Sequence, residues 1–192
     1  MSNADSLSGM VERCYQLLVW LGDEAPSLLQ LYMELQGFRD GPPGMPGPHL
    51  RLPAPPGPDG DDWEPARRLC QHRSASRQLA SLLGGVLGEQ RVLNETRHQL
   101  HQQLQLAITG LQGLDANLGH ALASLGTGQE QEDGQEAEES DGPAQGPSDQ
   151  ASGLAHWEAK VNGYHIVAHY TQWVGRAAED LVRLKELLKP EA

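Results

Sequence analysis

The sequence predicts an all-α protein. It reads as one domain over residues 1–192, a long-chain four-helix bundle, up-up-down-down, with two long crossover loops. Three observations carry this. Four segments repeat apolar residues with a helical period. The connections between them are long, short and long. The two long connections have compositions that exclude helix and central strand.

The first helix is expected over about residues 6–36. Leu7, Met10, Val11, Cys14, Leu17, Leu18 and Leu21 keep the period, and Leu28, Leu29, Tyr32 and Leu35 resume it beyond Pro26. Pro26 removes one hydrogen bond and is expected to kink or break the helix. Gly37 ends it. The Pro/Gly-rich crossover follows at 37–62, extended by its proline content. Asp61 or Asp62 is suited to cap the second helix, with Pro65 in its first turn.

The second helix, about 63–92, has the weakest pattern. Leu69, Leu79, Leu82, Leu83, Val86 and Leu87 give it a face. Gly84, Gly85 and Gly88 each cost about 1 kcal/mol relative to Ala, so they either bend the helix or admit a close neighbour. A hinge at Asn94 opens "NET", a glycosylation sequon that has meaning in a secreted protein. The third helix, about 95–125, is the clearest. Leu100, Leu104, Ala107, Leu111, Leu114, Leu118, Ala121 and Leu125 form an unbroken heptad seam. Gly126 stops it. Residues 126–154 have no apolar face and are expected to be disordered. The fourth helix, about 155–189, carries the seam Val167, Tyr170, Val174, Ala177, Leu181, Leu184, Leu188.

Connection lengths set the topology. A helix of 30 residues is about 45 Å long, so the short hinge joins antiparallel neighbours. Links of 26 and 29 residues can return along the whole bundle at roughly 3.3 Å per residue. Long, short, long is the up-up-down-down arrangement of growth-hormone and cytokine bundles. The alternative is an ordinary bundle with inserted disordered loops.

The net charge is −12, but residues 126–154 hold eight acids and no Lys or Arg, and the remainder carries −4. No basic stripe marks a nucleic-acid partner, and no apolar run of about 18 residues marks membrane insertion. The polar N-terminus "MSNADSLSGM" shows no signal-peptide core. Cys14 and Cys70 lie in helical patterns and read as buried small residues or one bridge.

His165 and His169 share a helix face at i, i+4, a metal-site spacing. Zinc needs three or four ligands, and a carboxylate-bridged di-iron bundle needs two Glu-x-x-His motifs; Glu95–His98 supplies one. No nucleophile has a His–acid partnership, and no Gly-rich phosphate loop follows a strand. Nothing marks an enzyme, and no cofactor is expected. A surface is better supported. His165, His169, Trp173, Arg176 and Asp180 step along one ridge beside the fourth seam, and Trp with Arg and an acid is a hot-spot composition. The plainer reading is an Arg176–Asp180 surface pair with Trp173 tucked under the first link.

Three stretches resemble a known family. "LLQLYMELQG" before Pro-rich sequence is similar to the end of that family's first helix. "DDWEPARRL" puts Trp63 where the family's second helix opens. "QWVGRAAEDL" fits Trp, two residues, Arg, three residues, Asp, then Leu or Phe, at Trp173, Arg176, Asp180 and Leu181. The family is the ciliary neurotrophic factor, cardiotrophin and neuropoietin group of interleukin-6-type cytokines. The resemblance spans all four helices, and is strong in the first and fourth.

The resemblance implies a secreted, monomeric cytokine, exported without a classical leader or with one absent from this chain. It implies cross-linking of the leukaemia inhibitory factor receptor and the shared interleukin-6-family signal transducer, with the ciliary neurotrophic factor alpha receptor as an optional component. The family's Phe-x-x-Lys at the start of the fourth helix, its contact with the leukaemia inhibitory factor receptor, reads "WEAK" here. Lys160 matches and Trp157 replaces Phe. The residue is a receptor anchor or a staple against the preceding link. Arg176 and Asp180, beside Trp173, carry over the alpha-receptor surface. The signal-transducer surface is implied on helices one and three. Two other classes stay open on residues alone: an intracellular helical scaffold that oligomerises through its seams, and a metal-binding helical bundle.

Overall fold

Apolar side chains at heptad spacing force helices together, because each seam reaches low dielectric only against another. The computed structural model describes residues 3–39, 41, 64–126 and 149–188. Four helices run through them: α1 (Asn3–Gln36), α2 (Pro65–Leu93), α3 (His98–Ser124) and α4 (Asp149–Leu187). Trp63, Asp61 and Asp62, most of the Pro-rich crossover and the acidic stretch 127–148 lie outside the described residues.

α1 packs on α3 and α4, and α2 packs on α3 and α4, so α1 faces α2 across a diagonal, as α3 faces α4. Every neighbouring pair is antiparallel. Glu12 meets Lys185 and Tyr32 meets Lys160 across α1–α4. Leu17 lies at Gly113 and Leu21 at Gly110 across α1–α3. Arg73 meets Asp115 and Gln90 meets His101 across α2–α3. Parallel diagonal helices with antiparallel neighbours define the up-up-down-down bundle.

The seams fill the interior. On α3, Leu100 through Ala121 are buried, and on α4, Val167 through Leu184 are buried. α1 buries Leu7, Val11, Cys14, Leu18, Leu21, Ala25, Leu28 and Tyr32. That run keeps heptad steps straight past Pro26, and α1 continues through Pro26 without the expected break. Pro26 stands on the exposed side of the helix. There its missing N–H leaves a carbonyl near solvent, and the seam residue Ala25 holds the register. α1 ends as expected at Gly37, with φ 79°. Phe38 N–H donates to the Met33 carbonyl at 2.8 Å and Gly37 N–H to the Glu34 carbonyl at 3.3 Å, a Schellman cap. Gly126, at φ 75°, closes α3.

Three expectations are corrected. α2 starts at Pro65 with Glu64 as its N-cap, and no side chain caps it; Pro65 at the first helical position needs no N–H partner. α4 starts at Asp149, six residues inside the stretch expected to be disordered. Nor do Gly84, Gly85 and Gly88 admit a neighbour, since a Cβ at any of them would meet nothing within 4 Å.

Close approach occurs elsewhere. A Cβ at Gly110 would lie 2.5 Å from Leu21 Cδ2, and one at Gly163 would collide with the Tyr32 hydroxyl. These glycines let α1 sit tightly on α3 and α4. Gly163→Ala should therefore destabilise the fold by about 1–3 kcal/mol through overpacking. Gly88→Ala, exposed on α2, should stabilise by about 0.5–1 kcal/mol. Chemical denaturation of the two variants beside wild type checks both signs.

Candidate functional site

Trp157 and Lys160 sit in the third and fourth turns of α4, at the end of the bundle where α1 and α2 finish and α3 begins. Trp157 is half-buried, its ring edge-on to Phe38 at 5.5 Å, and Phe38 lies edge-on to Tyr164 at 6.0 Å. Phe38 is the chain's only Phe. It occupies the position after the cap glycine where a Schellman cap takes an apolar contact. Sequence reading passed over it, although that position was the signal.

A polar knot lies under this aromatic cluster. The Tyr32 hydroxyl donates to the Lys160 carbonyl at 3.0 Å and accepts from Gln90 Nε2 at 3.3 Å. Gln36 Nε2 and Asn94 Nδ2 both donate to Gln90 Oε1 at 2.7 Å. Burial first, and Glu89 second, push the Tyr32 phenol up, so it stays a neutral donor. The sequon residue Asn94 is thus the C-cap of α2, with its amide held by Gln90.

The opposite half of the bundle is tied by Asp180. Its Oδ2 accepts from Arg68 Nε at 2.7 Å and pairs with His72 Nε2 at 2.8 Å. Asp180 is 1% exposed. Burial raises its carboxyl pKa, yet the hydrogen bonds and charges of His72 and Arg68 outweigh that and hold it below its usual value. Trp173, 3% exposed, packs beside His72 with ring centroids 5.9 Å apart.

This corrects the ridge geometry. The five ridge residues do not form one exposed line, because Trp173 and Asp180 turn into the α2–α4 interface. Arg176 and Asp180 are not a surface pair, since Asp180 is occupied by α2. Arg176 is exposed, and His165 and His169 are half-exposed. Sequence reading missed Arg68 and His72. Their signal was polar residues near the α2 seam positions, set against a lone acid beside the α4 seam.

On the α1–α3 side, Trp20 is 40% and Leu106 51% exposed. They flank a shallow apolar groove that reaches Leu28, Gln103, Ala107 and Tyr170. Cys14 is buried, as expected, and its thiol is pushed up to about 12 by desolvation. Cys70 is exposed and both thiols are free, correcting the buried or bridged reading. Among the described residues, no three His, Cys, Asp or Glu side chains are grouped to hold a metal. None of the described helices is long and apolar enough to cross a membrane.

The fold is the up-up-down-down four-helix bundle of the long-chain helical cytokines. No family profile matches the chain. Curated relatives do: rat cardiotrophin-1, 31% identical over 93% of this chain and 86% of its own length. Mouse cardiotrophin-2 is 29% identical over 94% of this chain and 85% of its own length. Human cardiotrophin-1 is 29% identical over 93% and 86%. The chain belongs to the cardiotrophin family of interleukin-6-type cytokines, which are signalling ligands and not enzymes.

Breaking the Asp180 tie by Asp180→Ala removes the acceptor of buried His72 Nε2 and of Arg68 Nε, and should cost about 3–5 kcal/mol. Because the folded-state pKa of Asp180 is depressed, its contribution is present above the unfolded carboxylate value of about 3.9 and is lost as pH falls through the folded value. Urea denaturation at pH 7 and across pH 5 to 2 should show a steeper acid loss in wild type than in Asp180→Asn.

Proposed function

We propose that the chain is an extracellular, monomeric cytokine that cross-links the leukaemia inhibitory factor receptor and the shared interleukin-6-family signal transducer. The ciliary neurotrophic factor alpha receptor is proposed as an additional component. The observation that carries this is the aromatic–lysine pair Trp157 and Lys160 at one end of the bundle, braced from behind by Phe38. An anchor ring already held by the fold loses little freedom on docking, while a neighbouring Lys can meet a partner carboxylate. The staple and anchor readings of Trp157 are therefore compatible.

The signal-transducer surface is proposed on α1 and α3 at Trp20 and Leu106, where large apolar side chains stand exposed beside a groove. The alpha-receptor surface is proposed on α4 at Arg176. Asp180 and Trp173 support that surface from beneath and do not contact the receptor themselves. Heptad seams filled within one chain leave no interior face for self-association, which favours a monomer.

The test is binding to immobilised receptor ectodomains, with helicity followed by circular dichroism. Trp157→Ala/Lys160→Ala should lose about 100-fold or more in affinity for the leukaemia inhibitory factor receptor while remaining fully helical. Wild-type affinity retained in that variant would sink the proposed anchor. Trp20→Ala/Leu106→Ala should weaken signal-transducer binding about 10-fold or more and leave the first receptor unaffected.

A further inference from the structure

Turning Asp180 inward changes the chemistry of the α4 ridge. The carboxylate that sequence spacing placed beside Arg176 is taken by Arg68 and His72 of α2. What remains toward solvent is His165, His169 and Arg176. Arg176 makes no ion pair with another described residue. His169 and Arg176 are seven residues apart, two helical turns or about 10 Å, on the same side of α4.

We propose that the His169–Arg176 strip docks an acidic surface of a protein partner, and that this docking takes up a proton at His169. The proposal rests on the receptor reading above and adds the partner's chemistry and its pH dependence.

The groups around His169 support this. Burial comes first in holding it below the usual histidine value, followed by the charges of His165 and Arg176. Both act from α4 itself, and Arg176 carries a permanent positive charge. On α2, Arg68 and His72 lie further along, committed to Asp180. On α1, Glu24 acts on Tyr170, the next residue along α4. His169 therefore stays neutral at neutral pH in the free protein. A carboxylate brought within about 4–6 Å favours the charged imidazolium. Arg176, permanently charged, supplies the pH-independent part of the attraction.

The sign follows from linkage. The partner raises the proton affinity of His169, so the complex binds more protons than the separated molecules. Affinity must then rise as pH falls through the window between the free and bound values, below about 7. It levels off below the free value and falls where the partner carboxylates themselves protonate, near 4.

The experiment uses the full chain and the extracellular part of the ciliary neurotrophic factor alpha receptor, at pH 7.5, 6.5 and 5.5. Wild type should bind about 3- to 10-fold more tightly at 5.5 than at 7.5. His169→Gln keeps a polar side chain but cannot charge, and should flatten that profile. Arg176→Ala should lower affinity about 10-fold at every pH while keeping the acid enhancement. A pH slope preserved in His169→Gln, or affinity that falls on acidification, overturns the proposal. So does alpha-receptor binding unaffected by Arg176→Ala. A chain that binds the leukaemia inhibitory factor receptor but not the alpha receptor at any pH overturns the strip and leaves the cytokine reading standing. Binding to neither overturns both. Competition by heparin but not by the receptor would identify the occupant as a sulfated polysaccharide and overturn a protein partner.

Discussion

The Asp180 carboxylate decides where α2 sits. The face that α2 turns inward is not purely apolar. Leu69, Leu79, Leu83 and Val86 alternate along it with His72, Ser76 and Gln90, and all seven are buried. A helix with such a seam gains less from burial than α1 or α3, and each polar side chain costs free energy unless it finds a partner. Each does. His72 meets Asp180, Ser76 Oγ donates to the Arg73 carbonyl, and Gln90 joins Tyr32 and Gln36. The two long-range ties are 18 residues apart along α2, about 27 Å. They fix its register at both ends, as an apolar face alone would not, because sliding by one turn would leave both ties unpaired in low dielectric.

α1 is held in a different way. It approaches α3 over Gly110 and α4 over Gly163, so its closest approaches are steric, with the Glu12–Lys185 ion pair at the surface. The glycines of α2 point away from neighbours. The bundle thus combines one helix locked by shape with one locked by hydrogen bonds. The two are diagonal, so neither constraint relays directly into the other. Two side chains of α1 are exceptions: Gln36 donates to Gln90, and the Tyr32 hydroxyl is packed against Gly163 and bonded to Gln90 and to the Lys160 carbonyl. The hydroxyl joins both constraints immediately beneath Trp157.

The legible parts of the sequence were those where a single residue type does the physical work. Leucine at heptad spacing gave α3 and α4 their buried faces, and glycine marked the ends of α1 and α3. The seam of α1 was harder to see, because small Ala25 carries it past Pro26 and a proline draws attention to the hydrogen bond it lacks. α2 looked insecure because its seam is partly polar, and polar seam positions such as His72 and Gln90 are recognisable only with partners 54 to 108 residues away. The same blindness affected the site. Trp173, Arg176 and Asp180 were found as a pattern, but helical spacing could not say that two of them face inward. Position on a helix fixes a direction; which neighbour stands in that direction is a tertiary fact.

That tertiary fact is what separates the proposed surfaces. In a ring of four helices with α1 opposite α2, the aromatic end, the α1–α3 groove and the outer strip of α4 point in different directions. Three partners could then engage without sharing a residue. α4 contributes to two of them, through Trp157 in its third turn and Arg176 two-thirds of the way along. Between these runs a continuous path of contacts: Trp157 on Phe38, Phe38 on Tyr164, Tyr164 on His165, then one turn on to His169. The bundle is held where seams pack and polar ties close. A partner that presses on Trp157 therefore acts first on this row of rings, and only through it on the histidines. Asp180, held from α2, keeps the helix beneath the His169–Arg176 strip in place.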